Sequence, residues 1–184
     1  VSSVVGNGGS KDIQGKYNGI TIITEDARAI HDGLEFSIGG DGTIAKATSI
    51  SFLGITGDEQ VHFDEVIGQF SQGNVRFTLF EGPTITDNGT PITPTNSNFE
   101  STNAAELQTF LNPSVSANGT AKASAFLPLT GGGANVTPSS GGIAGGRVLK
   151  RNTTYLILIE NEDVNTGVDY DVTFNWHESD IILD

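Results

Sequence analysis

The stretch that most restricts the fold is Val168-Asp169-Tyr170-Asp171-Val172-Thr173-Phe174-Asn175-Trp176-His177, where apolar and polar residues alternate without a break. Successive side chains of a strand point to opposite faces, so a strand collects Val168, Tyr170, Val172, Phe174 and Trp176 on one side, where a helix would scatter them. Just before it, Thr154 to Glu160 is apolar on both faces through Tyr155, Leu156, Ile157, Leu158 and Ile159, the pattern of a central strand covered on both sides. Asn161 to Gly167 is expected to join the two as a hairpin.

Shorter runs carry the same signal. Ile20 to Ile23, Leu34 to Ile38, Thr48 to Leu53 and Thr120 to Leu127 read as strands, with Leu34, Phe36 and Ile38 inward in the second and Ile50 and Phe52 on one face in the third. Val61 to Ile67 starts with Val61 and Phe63 inward and then slips phase at Asp64-Glu65, which predicts a bulge. Val75, Phe77 and Leu79 share a face, leaving Phe80 on the outer side in need of a covering loop or a partner. For Asn103 to Leu111 a helix with an Asn103/Glu106 capping box competes with a strand through Leu107, Thr109 and Leu111, and the strand is favoured.

A repeat lies between these runs. Pro83-Thr84-Ile85-Thr86-Asp87-Asn88-Gly89-Thr90 returns thirty residues later as Pro113-Ser114-Val115-Ser116-Ala117-Asn118-Gly119-Thr120. Proline starts an extended segment, the hydroxyl/β-branched alternation suits a half-exposed strand, and Asn-Gly takes the positive φ of a tight turn. Each copy is therefore expected to be a strand ending in a hairpin-type turn, the two being corresponding corners of one β domain. Gly82 to Asn103, with Pro83, Pro91 and Pro94, reads as a long connection of the kind that tends to be functional. Pro128 to Gly146 is a Gly-rich loop, and residues 1–17 are an extended arm ahead of a single domain at 18–184. About nine short strands with Gly- and Pro-rich loops point to an all-β antiparallel β-sandwich, a jelly roll being the arrangement that shields its edges.

Composition narrows the function. Twenty-two acids against nine bases leave a formal charge of −13, which opposes nucleic acid and anionic membranes as partners. The chain has no cysteine, so a disulfide scaffold, a thiolate metal site and a cysteine nucleophile are all excluded. No apolar run is long enough to cross a bilayer, and Val1-Ser2-Ser3-Val4-Val5 is not expected to be a signal peptide. Asn88, Asn118, Asn135 and Asn152 begin Asn-x-Ser/Thr triplets of the kind a Thr-rich chain produces by chance.

Chemistry is sparse. His31, His62 and His177 stand apart in sequence, and although a strand would put His62 and Asp64 on one face, a solvated polar face has the same pattern. Asp163, Asn165, Asp169 and Asp171 offer calcium-type oxygens, but an EF-hand loop counted from Asp163 would meet Val168 and Phe174 where glycine and glutamate belong, and an acidic hairpin tip is the plainer reading. No Gly-x-Ser-x-Gly is present. No enzyme, metal or cofactor is expected.

In the order of its motifs the chain resembles the jelly-roll capsid decoration, or cement, proteins of tailed bacteriophages. The matching pieces are Ile30-His31-Asp32-Gly33, Phe80 to Thr84 with Asn88-Gly89-Thr90, Thr93 to Asn98, Pro113 to Thr120, Phe126-Leu127-Pro128 before glycines, and Leu149 to Leu156, ending near Trp176-His177-Glu178. The resemblance spans Ile30 to Glu178. It implies a non-enzymatic virion protein on the outer surface of an icosahedral head, bound to the major capsid protein and to copies of itself as a dimer or trimer, bridging capsomers and stabilising the shell. Candidate contacts are Phe80, Asn96, Phe99, Phe126, Leu127 and Arg147, with Phe99 the one large apolar side chain of Pro91 to Asn103. A glycan-binding β-sandwich of a tail fibre or adhesin is the alternative.

Overall fold

The computed structural model describes residues 12–16, 19–23, 25–71, 74–128, 139–141 and 146–179. These residues form an antiparallel all-β fold with one short helix among them. In order the elements are β1 (Asp12–Lys16), β2 (Gly19–Ile23), α1 (Glu25–Asp32), β3 (Glu35–Ile44), β4 (Ser49–Ile55), β5 (Gln60–Phe70), β6 (Asn74–Glu81), β7 (Thr84–Asp87), β8 (Thr90–Ile92), β9 (Thr95–Asn96), β10 (Gln108–Leu111), β11 (Ser114–Ala117), β12 (Thr120–Pro128), β13 (Ser139–Gly141), β14 (Arg147–Val148), β15 (Thr154–Asn161) and β16 (Val168–Ser179). Of the expected arm, residues 1–11 and 17 lie outside the described residues, and β1 pairs with β2. Most of the Gly-rich loop, residues 129–138 and 142–145, lies outside them too.

One sheet has the order β12-β6-β15-β4-β10-β8, the other β13-β5-β16-β3-β9 with β14 also on β5. Their facing sides share one core, in which Phe52 meets Phe174 at 4.5 Å between ring centroids and Phe70 meets Phe77 edge-on at 5.5 Å. The alternation in β16 works as its sequence demands, with Val168, Val172, Phe174 and Trp176 buried. The phase slip in β5 is a bulge, since Asn175 pairs with Glu65 and the next residue, Trp176, with Phe63, leaving Asp64 as the extra residue.

The expected β15–β16 hairpin is not formed. β15 pairs with β4 and β6, β16 with β3 and β5, so the connection crosses between sheets. Asn161 turns this corner: its side-chain amide donates to the carbonyls of Ile44, Ala45 and Thr166, and its Oδ1 accepts from the Asp163 amide. A loop long enough to close a wide hairpin is also long enough to bridge two sheets about 10 Å apart, and hydrophobic pattern does not separate the two outcomes.

The repeat also folds differently from its expectation. β7 and β11 do not pair with the strands that follow them; they pair with each other, Val115 opposite Ile85 with Ser114–Asp87 and Ala117–Thr84 on either side. Gly89 (φ 85°) and Gly119 (φ 86°) take the positive φ, while their asparagines do not, so each Asn-Gly is a kink between sheets and not a hairpin turn. Gly82 (φ 67°) and Asn112 (φ 51°) make the matching kinks at the start of each copy. The thirty-residue shift maps the pairings onto one another as far as the bulge at Lys122: β8 on β10 (Thr90–Leu111) becomes β12 on β6 (Thr120–Glu81), and the bond from Thr86 Oγ1 to the Ser114 carbonyl becomes that from Ser116 Oγ to the Thr84 carbonyl. The repeat is thus a local two-fold, with the β4–β15 pair Leu53–Leu156 at its centre.

That symmetry explains the doubly apolar strand β15. Gly82 is tied to the carbonyl of Thr154 at one end of the sheet and Asn112 to that of Ser51 toward the other, so the β7/β11 ribbon crosses the sheet diagonally. The inner side is filled by the second sheet, which leaves the outer side for the ribbon. Leu53 and Leu156 alternate away from the shared core yet are each only 1% exposed. Ile85 and Val115, paired with each other, are the half-buried apolar residues of the ribbon. The long connection from Gly82 is accordingly built of ladder strands, β7, β8 and β9.

Candidate contact surface around Phe99

The helix α1 had no expectation in the sequence, and it builds the platform for the main candidate site. It ends at Gly33 (φ 70°), where the Gly33 amide bonds the Ile30 carbonyl and the Leu34 amide the Ala29 carbonyl, a Schellman-type stop that satisfies part of the last turn. The remaining C-terminal carbonyls are taken by asparagines. Asn98 Nδ2 donates to the His31 carbonyl, Asn103 Nδ2 to those of Asp32 and Gly33, and Asn96 Nδ2 to those of Gly33 and Asn103. A Cβ at Gly33 would lie 2.2 Å from Ser101 Oγ, so this glycine also allows the 98–101 turn to seat against the helix end.

The turn is held from within as well. Asn96 Oδ1 accepts from the Asn98 amide, Asn98 Oδ1 from the Glu100 amide, Ser101 Oγ from the Asn103 amide, and the Ser101 amide donates to the Asn98 carbonyl. These Asx and Ser turns consume the local polar groups and fix the backbone. At the tip stands Phe99, 89% exposed, with Glu100 exposed beside it. An aromatic side chain this exposed on a turn this constrained is a ready-ordered anchor, because little conformational freedom remains to be lost when it is covered.

The other candidates are dispersed. Phe80 is half-buried on the sheet face that the ribbon crosses. Asn96 is part of the platform and acts through it. Phe126 lies on edge strand β12, 43% exposed, with the Arg76 guanidinium 5.0 Å from its ring centroid and Arg76 ion-paired to Glu162. Leu127, on the opposite face, packs against the core, and Arg147 sits on β14 opposite Phe63. Phe99 thus belongs to the flank formed by β8, β9 and α1, and Phe126 to the far flank.

Two clusters escaped sequence reading because their members are remote in the chain. His62 and His177 are cross-strand partners with stacked rings 4.5 Å apart; Asp64, turned by its bulge, reaches His177 Nδ1 at 3.1 Å, and Ser179 Oγ lies 3.4 Å from His62 Nε2. The serine and the aspartate thus contact different imidazoles. Glu178, 4% exposed, accepts from the amides of Glu106 and Leu107 and from Trp176 Nε1, fixing the 106–107 segment on the end of the core. Beside it a cleft of about 400 Å³ is lined by Leu34, Glu59, Asn103, Glu106 and Ser179, whereas the cavity inside the core is apolar and only about 40 Å³. Among the described residues no three acidic, histidine or cysteine side chains converge as metal ligands. In the 161–167 connection Asp163 accepts from the amides of Asn165 and Thr166, while Asp169 accepts from Thr43 Oγ1.

No family model, curated protein or solved structure matches this chain.

Proposed function

We propose that this chain is a capsid decoration, or cement, protein of a tailed bacteriophage, a jelly roll that sits on the outer surface of the head, binds the major capsid protein and bridges capsomers without catalysing a reaction. Support for the jelly roll comes from strand pairing. Taking β13 and β14 together and setting aside the 82–119 insertion, eight successive strands pair first with eighth (β3·β16), second with seventh (β4·β15), third with sixth (β5·β13/β14) and fourth with fifth (β6·β12). Two nested Greek keys produce that order.

The observation that carries the binding reading is Phe99, an exposed aromatic on a turn pinned by three asparagines. It fits an apolar socket on a shell protein. The acidic balance of the chain suits a protein that stays outside a DNA-filled head. The test is co-sedimentation of the purified chain with expanded, empty heads stripped of their decoration protein. Saturable binding at a fixed ratio to the capsid protein is expected. Absence of binding, together with calcium-dependent binding to glycans, would overturn the reading in favour of an adhesin-type module.

A further inference from the structure

We infer that β12 is a self-pairing edge, through which two copies of this chain join their six-stranded sheets antiparallel into one continuous sheet. This goes beyond the proposed function, which assigns no contact between copies of the chain, and it rests on the fold and not on the capsid.

Edge strands expose unpaired amides and carbonyls, and proteins blunt them with short strands, proline, charge or bulges; the one bulge of β12, at Lys122, leaves Ala123 to Leu127 regular. Here the exposed edges are treated unequally. β8, β9, β13 and β14 have two or three residues each, whereas β12 has nine, Thr120–Pro128, and pairs only with β6 among the described residues. The local two-fold sharpens the contrast, because β8 is the counterpart of β12 and carries Pro91 where β12 carries Ala121. One edge of a symmetric sheet is blocked and the other is left long.

The strand is also complementary to itself. Exposure alternates from Ala123 onward, with Ala123, Ala125 and Leu127 half-buried against the core and Ser124 and Phe126 exposed on the outer face; Lys122, also exposed, is the extra residue of a bulge between Ala121 and Ala123. An antiparallel pair centred on Ser124 sets the bulge at Ala121-Lys122 of each copy opposite Phe126 of the other, an ammonium beside an aromatic ring. The same register places Ala123 opposite Ala125 on the core side, so the edge of the core becomes covered there. Lys122 is already oriented by Glu81 at 3.3 Å, and Arg76 lies 5.0 Å from the centroid of the Phe126 ring within its own copy. An edge of this length buries less than the roughly 1,600 Å² of a standard stable interface, so the dimer is expected to be reversible on dilution.

The experiment is sedimentation of the full chain over a dilution series, without capsids, so that its failure is separate from failure of the capsid reading. Phe126→Lys puts lysine against Lys122 of the other copy twice per dimer and should weaken association about tenfold. Phe126→Glu puts a carboxylate against the same lysine and should preserve it. Because the chain has no cysteine, Ser124→Cys adds a direct readout: under oxidation it should give a covalent dimer, while Thr102→Cys, on the Phe99 flank, should not. A chain monomeric at every concentration, an oligomer equally sensitive to both charge variants, or equal crosslinking through both cysteines would overturn the pairing.

Discussion

The two glycines that end the repeat copies carry the same constraint twice. A Cβ on Gly89 would lie 2.3 Å from the carbonyl oxygen of Leu111, and one on Gly119 would lie 2.4 Å from that of Glu81, the position related by the thirty-residue shift. Both have positive φ, so alanine suffers backbone strain as well as a backbone clash, and Gly89→Ala and Gly119→Ala should each destabilise by about 2–4 kcal/mol, nearly equally, in denaturant titrations. The kinks that start the copies make the opposite case. Gly82 has nothing within 4 Å of its Cβ direction, and its counterpart is Asn112, whose Oδ1 accepts from the Ser51 amide. Asparagine tolerates left-handed backbone, so Gly82→Asn should change stability by no more than about 0.5 kcal/mol. Glu81, beside this kink, holds both Lys150 at 2.7 Å and Lys122 at 3.3 Å. Its carboxyl is held below its ordinary range, first by the hydrogen bond from Lys150 and then, against some opposing desolvation, by Lys122. A depressed folded-state pKa stabilises above the ordinary carboxylate range, and that contribution is lost as pH falls through the folded-state value. The gap in melting temperature between the wild type and Glu81→Gln should therefore close on acidification and stay constant from neutral pH upward.

At the scale of elements, the β7/β11 ribbon turns a sheet face that would otherwise be wet into a second buried layer. Leu53 and Leu156 are buried there and not in the shared core, so Leu53→Ala should cost about 2–5 kcal/mol, as a core truncation does. A pure surface leucine would cost almost nothing, and thermal or chemical unfolding separates the two. Much of this architecture was legible in the sequence: the strands with strict alternation, the bulge at Asp64, and the choice of strand over helix for Asn103 to Leu111, which holds for Gln108–Leu111 and not for residues 103–107, all follow from period-2 patterning. The need for a cover over β15 was legible too, but its identity was not. Asn-Gly kinks and Asn-Gly hairpins share the same residues, and only the partner strand, distant in sequence, decides between them. The β15–β16 crossing was hidden for the same reason. The helix α1 escaped because eight residues present barely two turns of pattern; its one clear mark is Gly33 at the stop. Of the candidate site, Phe99 could be picked out as a lone large apolar residue in a polar stretch. That Asn96, Asn98 and Asn103 cap a helix could not, since the helix itself was unseen.

Considered whole, the molecule has two flanks of different character. On one, β8 and β9 are short, α1 is joined to the 96–103 segment, and a constrained turn projects Phe99; on the other, the long strand β12 leaves its outer edge unpaired among the described residues. A protein that links neighbours while gripping a common support needs two such surfaces that do not compete. The proposed division is shell contact at Phe99 and self-contact at β12. It yields a separation of functions by single substitution. Phe99 is 89% exposed and contributes little to folding, so Phe99→Ala should leave the melting temperature and the dilution-dependent dimer unchanged. If it is the anchor, its loss should cost at least about 2 kcal/mol of capsid affinity, roughly 30-fold, in co-sedimentation with expanded heads. Asn98→Ala tests the platform independently: it removes the bonds to the His31 carbonyl and from the Glu100 amide while leaving the aromatic ring in place. A freely swivelling Phe99 must be ordered on binding, so Asn98→Ala should weaken binding by a smaller factor than Phe99→Ala. Wild-type affinity in both variants would place the shell contact elsewhere.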